Sequence, residues 1–442
     1  MSDGAKLAVD IGGTFTDLVL EKGGERHQAK LLTTPAAPEE AVLEGTKRIL
    51  AESNTPLDAV DLVIHGTTLA TNALIERKGA KTGLIATEGF RDSVEIAYEH
   101  RFEQYDLYMD RPTPLVPRHR RLGVSERMAA DGSILLPLDE EAVVGQARAL
   151  RDEGIEALAI CFLHSYMNAA HEERARELVA GELPHVAVTI SSEVCPEIRE
   201  YERMSTACAN AYVQPMMARY LGRLESGLAG IGLACPLLLM MSSGGITTVE
   251  TASRQPIRLV ESGPAGGAIL ARNIAAQNGL EKVLSFDMGG TTAKITLIDD
   301  CEPLLSRAFE VARAYRFLKG SGLPLRIPVI EMVEIGAGGG SVASLDALRQ
   351  IAVGPESAGS DPGPACYGRG NEAATVTDAD VVMGRIDPAG FAGGKIALFP
   401  ERAVAAIKAE IADPLEISND VAAAGVDEIV NENMANAARV HA

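Results

Sequence analysis

One short pattern occurs twice in this chain, far apart: Asp10-Ile-Gly-Gly-Thr-Phe-Thr-Asp17 and Asp287-Met-Gly-Gly-Thr-Thr-Ala-Lys294. Each copy follows an apolar run (Lys6 to Val9; Val283 to Phe286) and precedes another (Leu18 to Leu20; Ile295 to Ile298). The pattern therefore predicts strand, Gly-Gly turn, strand. That separates it from a dinucleotide fingerprint, whose glycines open a helix. Paired glycines permit positive φ and close approach of the backbone to a ligand. Successive N–H groups at such a turn form an anion-binding concavity. Around Gly12, Gly13, Gly289 and Gly290, the hydroxyls of Thr14, Thr16, Thr291 and Thr292 add donors. Asp10 and Asp287 can hold a hydrated Mg2+. A single Gly-Gly-Thr is as readily a plain tight turn, but two copies between strand-like flanks favour phosphate binding. A duplicated hairpin of this kind predicts a nucleotide gripped between two related domains.

The chain has 442 residues, enough for two to three domains. A net charge of −20, with no Lys/Arg-rich tract, argues against nucleic acid or an acidic membrane surface as a partner. No run is long and apolar enough to span a bilayer. The N-terminus lacks a secretory hydrophobic region with a cleavage site. Six cysteines (Cys161, Cys195, Cys208, Cys235, Cys301, Cys366) are scattered without a Cys-x-x-Cys pair, which is neither a zinc pattern nor a disulfide framework. A reducing cytoplasm is the expected compartment. The cysteines read as core residues, with Cys366 alone in a Gly/Pro loop.

Apolar periodicity alternates between strands and helices. Strands are expected at Val60 to Ile64, Thr82 to Ala86, Ala157 to Phe162, Val186 to Ser191 and Leu237 to Met241. Helices are expected at Glu39 to Leu50, Glu140 to Arg151 and Ala170 to Ala180. A mostly helical stretch from Pro196 to Gly227 contains Pro215, where a kink or break is predicted. The fold class is α/β, sheets covered by helices. The division is placed at 1–195 and 196–442, one hairpin in each part. Three Gly/Pro-rich loops, at Glu261 to Gly267, Gly336 to Ser341 and Gly354 to Pro364, imply close backbone approach to a ligand or between domains.

Several further segments resemble one family, the ATP-dependent hydantoinase/oxoprolinase A-type subunits. They are His65-Gly66-Thr67-Thr68-Leu69-Ala70-Thr71-Asn72-Ala73, Gly89-Phe90-Arg91-Asp92, Tyr105-Asp106-Leu107 and Pro114-Leu115-Val116-Pro117-Arg118. To these are added Met241 to Gly245, Glu261 to Gly267, Phe286 to Lys294, Gly320 to Pro324, Glu334 to Ser341 and Gly359 to Tyr367. The resemblance, which runs in order along essentially the whole chain, implies the acetate/sugar kinase–Hsc70–actin architecture, two ribonuclease-H-like lobes closing on ATP. It implies a first phosphate loop of Asp10, Gly12, Gly13, Thr14 and Thr16, and a second of Asp287, Gly289, Gly290, Thr291 and Thr292. Gly263, Gly266 and Gly267 would start a helix whose amides add anion affinity. Family members continue through a Phe-Gly-Gly-Ala-Gly-Pro-like loop that would contact the adenosine, so the resemblance implies either a chain cut short inside the helix that ends it or a nucleotide site completed otherwise.

The implied chemistry is ATP- and Mg2+-dependent phosphorylation and opening of a cyclic amide or imide, a hydantoin or 5-oxoproline-like ring, with a B-type hydantoinase subunit as partner. The alternatives are an ATP-dependent ketone carboxylase subunit and a nucleotide-binding module without turnover. Lys294 is either a cation near the phosphates or a solvated strand-end lysine. His65 follows a strand at a sheet's carboxyl edge, where α/β sites lie; it reads as a catalytic contact or as a histidine bonding a turn. Thr67 and Thr68 are candidate substrate contacts beside it, with Asn72 either there or inside the helix. The polar and aromatic segment from Arg91 to Arg111, with Asp92, Tyr98, Glu99, His100 and Arg101, reads as substrate lining or as a partner interface. Glu331 and Glu334 would lie on opposite faces of a strand over Ile327 to Ile335. They, Asp361, Asp378 and Asp380 are lesser candidates for positioning metal or water.

Overall fold

The computed structural model describes residues 4–12, 15–34, 36–98, 101–313, 319–359, 361–391 and 397–441. Backbone contacts divide it into two compact units: Met1–Ile269 with Leu305–Ile330, and Leu270–Leu304 with Glu331–Ala442. This division falls elsewhere than the sequence division at 195/196, because the Glu200–Gly230 helix packs on strands of the first unit.

The first unit is built on a six-stranded sheet. Its order is Ile246–Thr248, Leu237–Met240, Val60–Thr67, Ala5–Ile11, Phe15–Lys22, Glu25–Leu32. The last three strands form an antiparallel meander, and Val60–Thr67 and Leu237–Met240 add parallel to its free edge. Three antiparallel strands continued by two parallel ones make a ribonuclease-H-like lobe. Alternation sets the register: Leu7, Val9 and Ile11 face a core at 1, 3 and 0% exposure while Lys6, Ala8 and Asp10 face out. Helix Pro38–Glu52 and the long helix Glu200–Gly230 cover that core. The long helix continues through Pro215 without a break, where a kink or break is expected; Glu202 to Val213 are buried in succession, so packing holds it.

A second sheet in this unit is wholly parallel, in the order Ala187–Ile190, Ala157–Cys161, Thr82–Thr87, Arg121–Val124. Its near-continuous apolar strands fit a sheet covered on both faces, here by helices Glu140–Asp152 and Ala170–Glu182 on one side and Glu200–Gly230 on the other.

The second unit carries the other hairpin. Lys282–Met288 pairs antiparallel with Ala293–Asp299, whose far edge takes Glu302–Pro303 and Val333–Ile335. Among the described residues, Lys282–Met288 has no strand on its other side. Helices Val376–Val382, Pro400–Ile407 and Asn419–His441 enclose the unit's core. The strand expected over Ile327 to Ile335 is instead two short ones, Val329–Ile330 and Val333–Ile335, which pair with different partners. Among the described residues, no helix is long and apolar enough to cross a membrane.

Candidate functional site

Both hairpin turns close with the same bond. Gly12 N–H donates to Phe15 O at 2.9 Å, and Gly289 N–H donates to Thr292 O at 2.9 Å. Gly13 and Thr14 lie outside the described residues. The expected positive φ is not found at Gly12, Gly289 or Gly290. A Cβ would meet Phe15 O at 3.3 Å from Gly12 and Thr292 O at 3.6 Å from Gly289, and nothing within 4 Å from Gly290, so the crowding falls instead on the loop that covers the second turn. The loop after Ile335 lies backbone to backbone on the second turn, Gly339 N–H donating to Gly289 O and Gly340 N–H to Gly290 O. A Cβ on Gly338 would stand 2.7 Å from the Thr291 backbone, and one on Gly340 would stand 2.9 Å from Gly290 O. Thr377 secures that loop through its N–H and hydroxyl, both bonded to Gly339 O.

In the first unit, Asp10 stands at the exposed end of its strand with glycines on two sides. A Cβ on Gly66 would come within 3.1 Å of the Asp10 Oδ1, and one on Gly263 within 3.4 Å. Gly263 is the second residue of helix Ser262–Gln277, so the carboxylate faces a helix start, where orphan amides and the dipole favour anions. Ser262 locks this arrangement: its hydroxyl donates to Thr67 O and accepts from Thr67 N–H. The preceding Glu261 holds φ at 64°, a left-handed strain of the kind concentrated at functional sites. Gly266 and Gly267 lie further along the helix, with no side chain crowding Gly267. Thr68 donates to Ile11 O from both its N–H and its hydroxyl and so braces the turn; Asn72 lies within helix Leu69–Ile75 and donates to Thr68.

Three sequence expectations need correction here. His65 is 1% exposed, and both its ring nitrogens are engaged. Val9 O can only accept, so Nδ1 carries the proton at 3.3 Å, and Nε2 accepts from the Tyr220 hydroxyl at 2.7 Å. Burial lowers its pKa to about 4. This neutral histidine joins the Val60–Thr67 strand to the long helix, below the surface where a substrate could bind. Thr16 is also buried; its hydroxyl meets that of Thr33 at 3.0 Å instead of facing the turn. Thr67 is buried as well and its hydroxyl accepts from Leu69 N–H. Thr291 remains exposed and Thr292 half-buried.

Cross-strand registers reveal charge rows that the linear sequence hides. Asp10 lies opposite Asp17, and Asp17 opposite Lys30, whose ammonium donates to both Asp17 oxygens at 2.7 and 2.8 Å. Asp287 lies opposite Lys294, and Lys294 opposite Glu334. Residues directly opposite share a sheet face. Lys294 thus sits between two carboxylates, and Glu334 belongs to this row rather than to a pair with Glu331.

The segment beginning at Arg91 is knotted by ion pairs. Arg118 clasps Asp92 with two bonds of 3.0 and 2.9 Å, which hold the Asp92 carboxyl below its usual range. Arg91 stands 3.9 Å from the same carboxylate. Buried Arg121 donates to Glu95 and to Val116 O. Asp92 is therefore a structural anion here. Tyr98 stacks edge-on against Tyr201, with centroids 4.9 Å apart; burial, then its hydrogen bond to Glu202, raises the phenol's pKa. Arg326 also donates to Glu202 at 3.1 Å. Two recesses of about 20 and 30 Å³ share Val94 and Tyr201 as walls, the larger also faced by Tyr98, Phe102 and Arg111. Glu99 and His100 lie outside the described residues.

Other candidates turn structural. Asp378 accepts from the backbone of Ala365, Cys366 and Thr375 and caps its own helix. Asp380 stands 3.9 Å from Arg385, and Cys366 packs in a small apolar core with Val381, Leu398 and Ala403. Among the described residues, no three His, Cys, Asp or Glu side chains gather as a metal site.

The hydantoinase/oxoprolinase family model matches residues 203–441, and the model of its N-terminal region matches residues 6–183. The chain belongs to the hydantoinase/oxoprolinase family. Caprolactamase subunit alpha of Pseudomonas jessenii is 38% identical over 98% of this chain and 62% of its own length. The crystal structure of the ATP-dependent caprolactamase from the same organism superposes with a TM-score of 0.84 at 36% identity, covering 99% of this chain and 63% of that one. A nucleotide-free acetone carboxylase structure gives 0.79 at 30% identity, covering 97% and 61%. The chain thus spans about three fifths of the length of these family relatives. The family membership and these superpositions agree with the actin-like α/β architecture.

Proposed function

We propose that this hydantoinase/oxoprolinase-family chain is the ATP-using part of a cyclic amide hydrolase. The observation that carries the reading is the repeated turn, closed by the same 2.9 Å bond in both units, with Asp10 set against the glycine-lined start of a helix. The Gly12 turn and the Gly263 amide at the start of its helix would receive phosphate oxygens. Gly289, Gly290, Thr291 and Thr292 of the second turn would receive phosphate oxygens likewise, with Lys294 as a nearby cation. Phosphoryl transfer requires mainly such positioning and neutralisation of charge.

The ring carbonyl oxygen would attack the γ-phosphorus, forming an O–P bond as the bond to the β-phosphate oxygen breaks and ADP departs. Water then adds to the activated carbon and the ring C–N bond breaks, its nitrogen taking a proton. A second water releases phosphate from the resulting acyl phosphate. Asp10 and Asp287 fit Mg2+, which keeps several waters and binds through one or two carboxylates plus phosphate; it would neutralise charge on the phosphates. Tyr98 and its recess, with Arg91 nearby in sequence, are the proposed substrate side. A B-type subunit is the proposed partner and the cytoplasm the proposed compartment.

The test is phosphate release from Mg-ATP with caprolactam, hydantoin and 5-oxoproline, with and without a B-type subunit. Release that depends on a ring supports the reading; none in any combination defeats it. The likeness to acetone carboxylase favours a second reading, ketone carboxylation. Bicarbonate-dependent turnover with acetone or acetophenone would establish that one instead.

A further inference from the structure

Tyr201 stands in the first turn of the Glu200–Gly230 helix and, with Val94, is common to both recesses of the first unit. In the smaller recess it meets an apolar wall of Pro114, Leu115, Val116 and Leu323. In the larger it meets Tyr98, Arg111, Gly320 and Gly322. The two glycines keep that wall bare: Gly320 holds φ at 94°, and a Cβ on Gly322 would stand 2.9 Å from Val311 O. The half-buried Tyr201 ring packs edge-on against Tyr98. Among the described residues its hydroxyl has no hydrogen-bond partner, although a tyrosine hydroxyl enclosed by protein usually finds one. Tyr98 differs, since its hydroxyl is bonded to Glu202.

The charges around that hydroxyl select its partner. Burial first, then Glu202 and Glu310, push the Tyr201 phenol up to about 12, so it stays a neutral hydroxyl at neutral pH. Two carboxylates nearby favour a donor over an acceptor as the group that approaches its oxygen. Both are already paired, Glu202 with Arg326 at 3.1 Å and Glu310 with Arg313 at 3.1 Å. Glu95 of the larger recess pairs with Arg121 at 2.7 Å, and Arg111 is exposed and donates to Ile96 O. The site therefore suits an uncharged molecule. We infer that Tyr201 is a specificity-determining residue whose hydroxyl oxygen accepts the ring N–H of a neutral secondary cyclic amide. The two recesses, of about 20 and 30 Å³, each take one small group. The ring thus lies against Tyr201 and Val94, its methylenes toward the apolar recess and its amide edge toward the larger one. A phenol oxygen can accept this bond while keeping its own proton. Accepting from the N–H moves electron density toward the carbonyl oxygen, the atom that must attack phosphorus. A ketone has no N–H, so the same contact separates the amide from the ketone. The inference rests on the cyclic-amide reading and names the residue that reads the amide.

The test measures binding of caprolactam and of cycloheptanone, in which a methylene replaces the N–H, by ligand-observed NMR. Both are titrated against the 442-residue chain and its Tyr201→Phe variant. Losing the hydroxyl should weaken caprolactam about 3–10-fold, the scale of one hydrogen bond, and change cycloheptanone by less than about 2-fold. Tyr201→Phe keeps the ring that packs on Tyr98, and unchanged binding of the ketone reports an intact recess. Equal losses for both rings, no loss for either, or no binding of caprolactam to the unaltered chain overturns the inference. Phosphate release from Mg-ATP is followed with the same rings, so that two failures can be told apart. Lactam-dependent release with equal losses keeps the cyclic-amide reading and overturns the Tyr201 contact. A loss confined to caprolactam, with no release in any combination, supports the contact and defeats that reading.

Discussion

The two hairpins carry the same turn in opposite surroundings. In the first, the strand leading to the turn lies inside a six-stranded sheet, its apolar face sealed by two helices. In the second, the equivalent strand is an edge among the described residues, and its Leu284, Phe286 and Met288 are partly exposed. The charge rows differ too: Asp10, Asp17, Lys30 in the first, Asp287, Lys294, Glu334 in the second. In the first row Lys30 neutralises Asp17 and stands one strand removed from Asp10. In the second the lysine is next to Asp287. The repeat therefore keeps the bond that closes the turn while each copy acquires its own charged neighbours.

The largest test of that difference replaces each aspartate. Asp10→Asn should lower ATP turnover about 10²–10³-fold, the scale of losing one preorganised electrostatic contact, with Asp287→Asn less severe. Phosphate release under saturating Mg-ATP measures both. Equal losses would mean that the neighbouring lysine is irrelevant.

The next test exploits His65, which only the first lobe has. Its pKa is lowered to about 4 in the fold against about 6.5 in unfolded chain. The unfolded state therefore binds the extra proton between those values. The stabilisation is complete above pH 6.5 and is lost as pH falls toward 4, in total about 3 kcal/mol. Urea unfolding of the first unit from pH 7 to 4 should show this slope, and His65→Gln should flatten it.

The third concerns crowding. Gly338→Ala places a methyl 2.7 Å from the Thr291 backbone, so it should destabilise the second unit by about 1–3 kcal/mol. Gly267→Ala, with open space around it, should be neutral or slightly stabilising. Thermal unfolding distinguishes them. The smallest effect is expected for Lys30→Ala: its ion pair with Asp17 is more than a third exposed, so the stability change should stay within about 1 kcal/mol. A larger change in the KM for ATP than in stability would place Lys30 in the site.

The duplicated turn and the α/β class were legible because strand alternation and paired glycines are local signals, whereas Glu261 to Gly267, grouped with the loops, lies almost wholly in helix Ser262–Gln277. His65 and Thr16 were misjudged from the same local pattern. A residue at a strand end can point outward or inward, and a Tyr220 hydroxyl 155 residues away fixed His65 inward. The Asp92 pairing with Arg118 and the Lys294–Glu334 row likewise join residues that no spacing rule connects.

By itself the sequence determined where the backbone turns, since glycine, aspartate and apolar runs act on their immediate neighbours. Only the tertiary structure decided which polar groups face open space and which strand edges are filled. Burial and cross-strand pairing depend on elements brought together from distant parts of the chain, and a side chain's charge, pKa and accessibility follow from that packing.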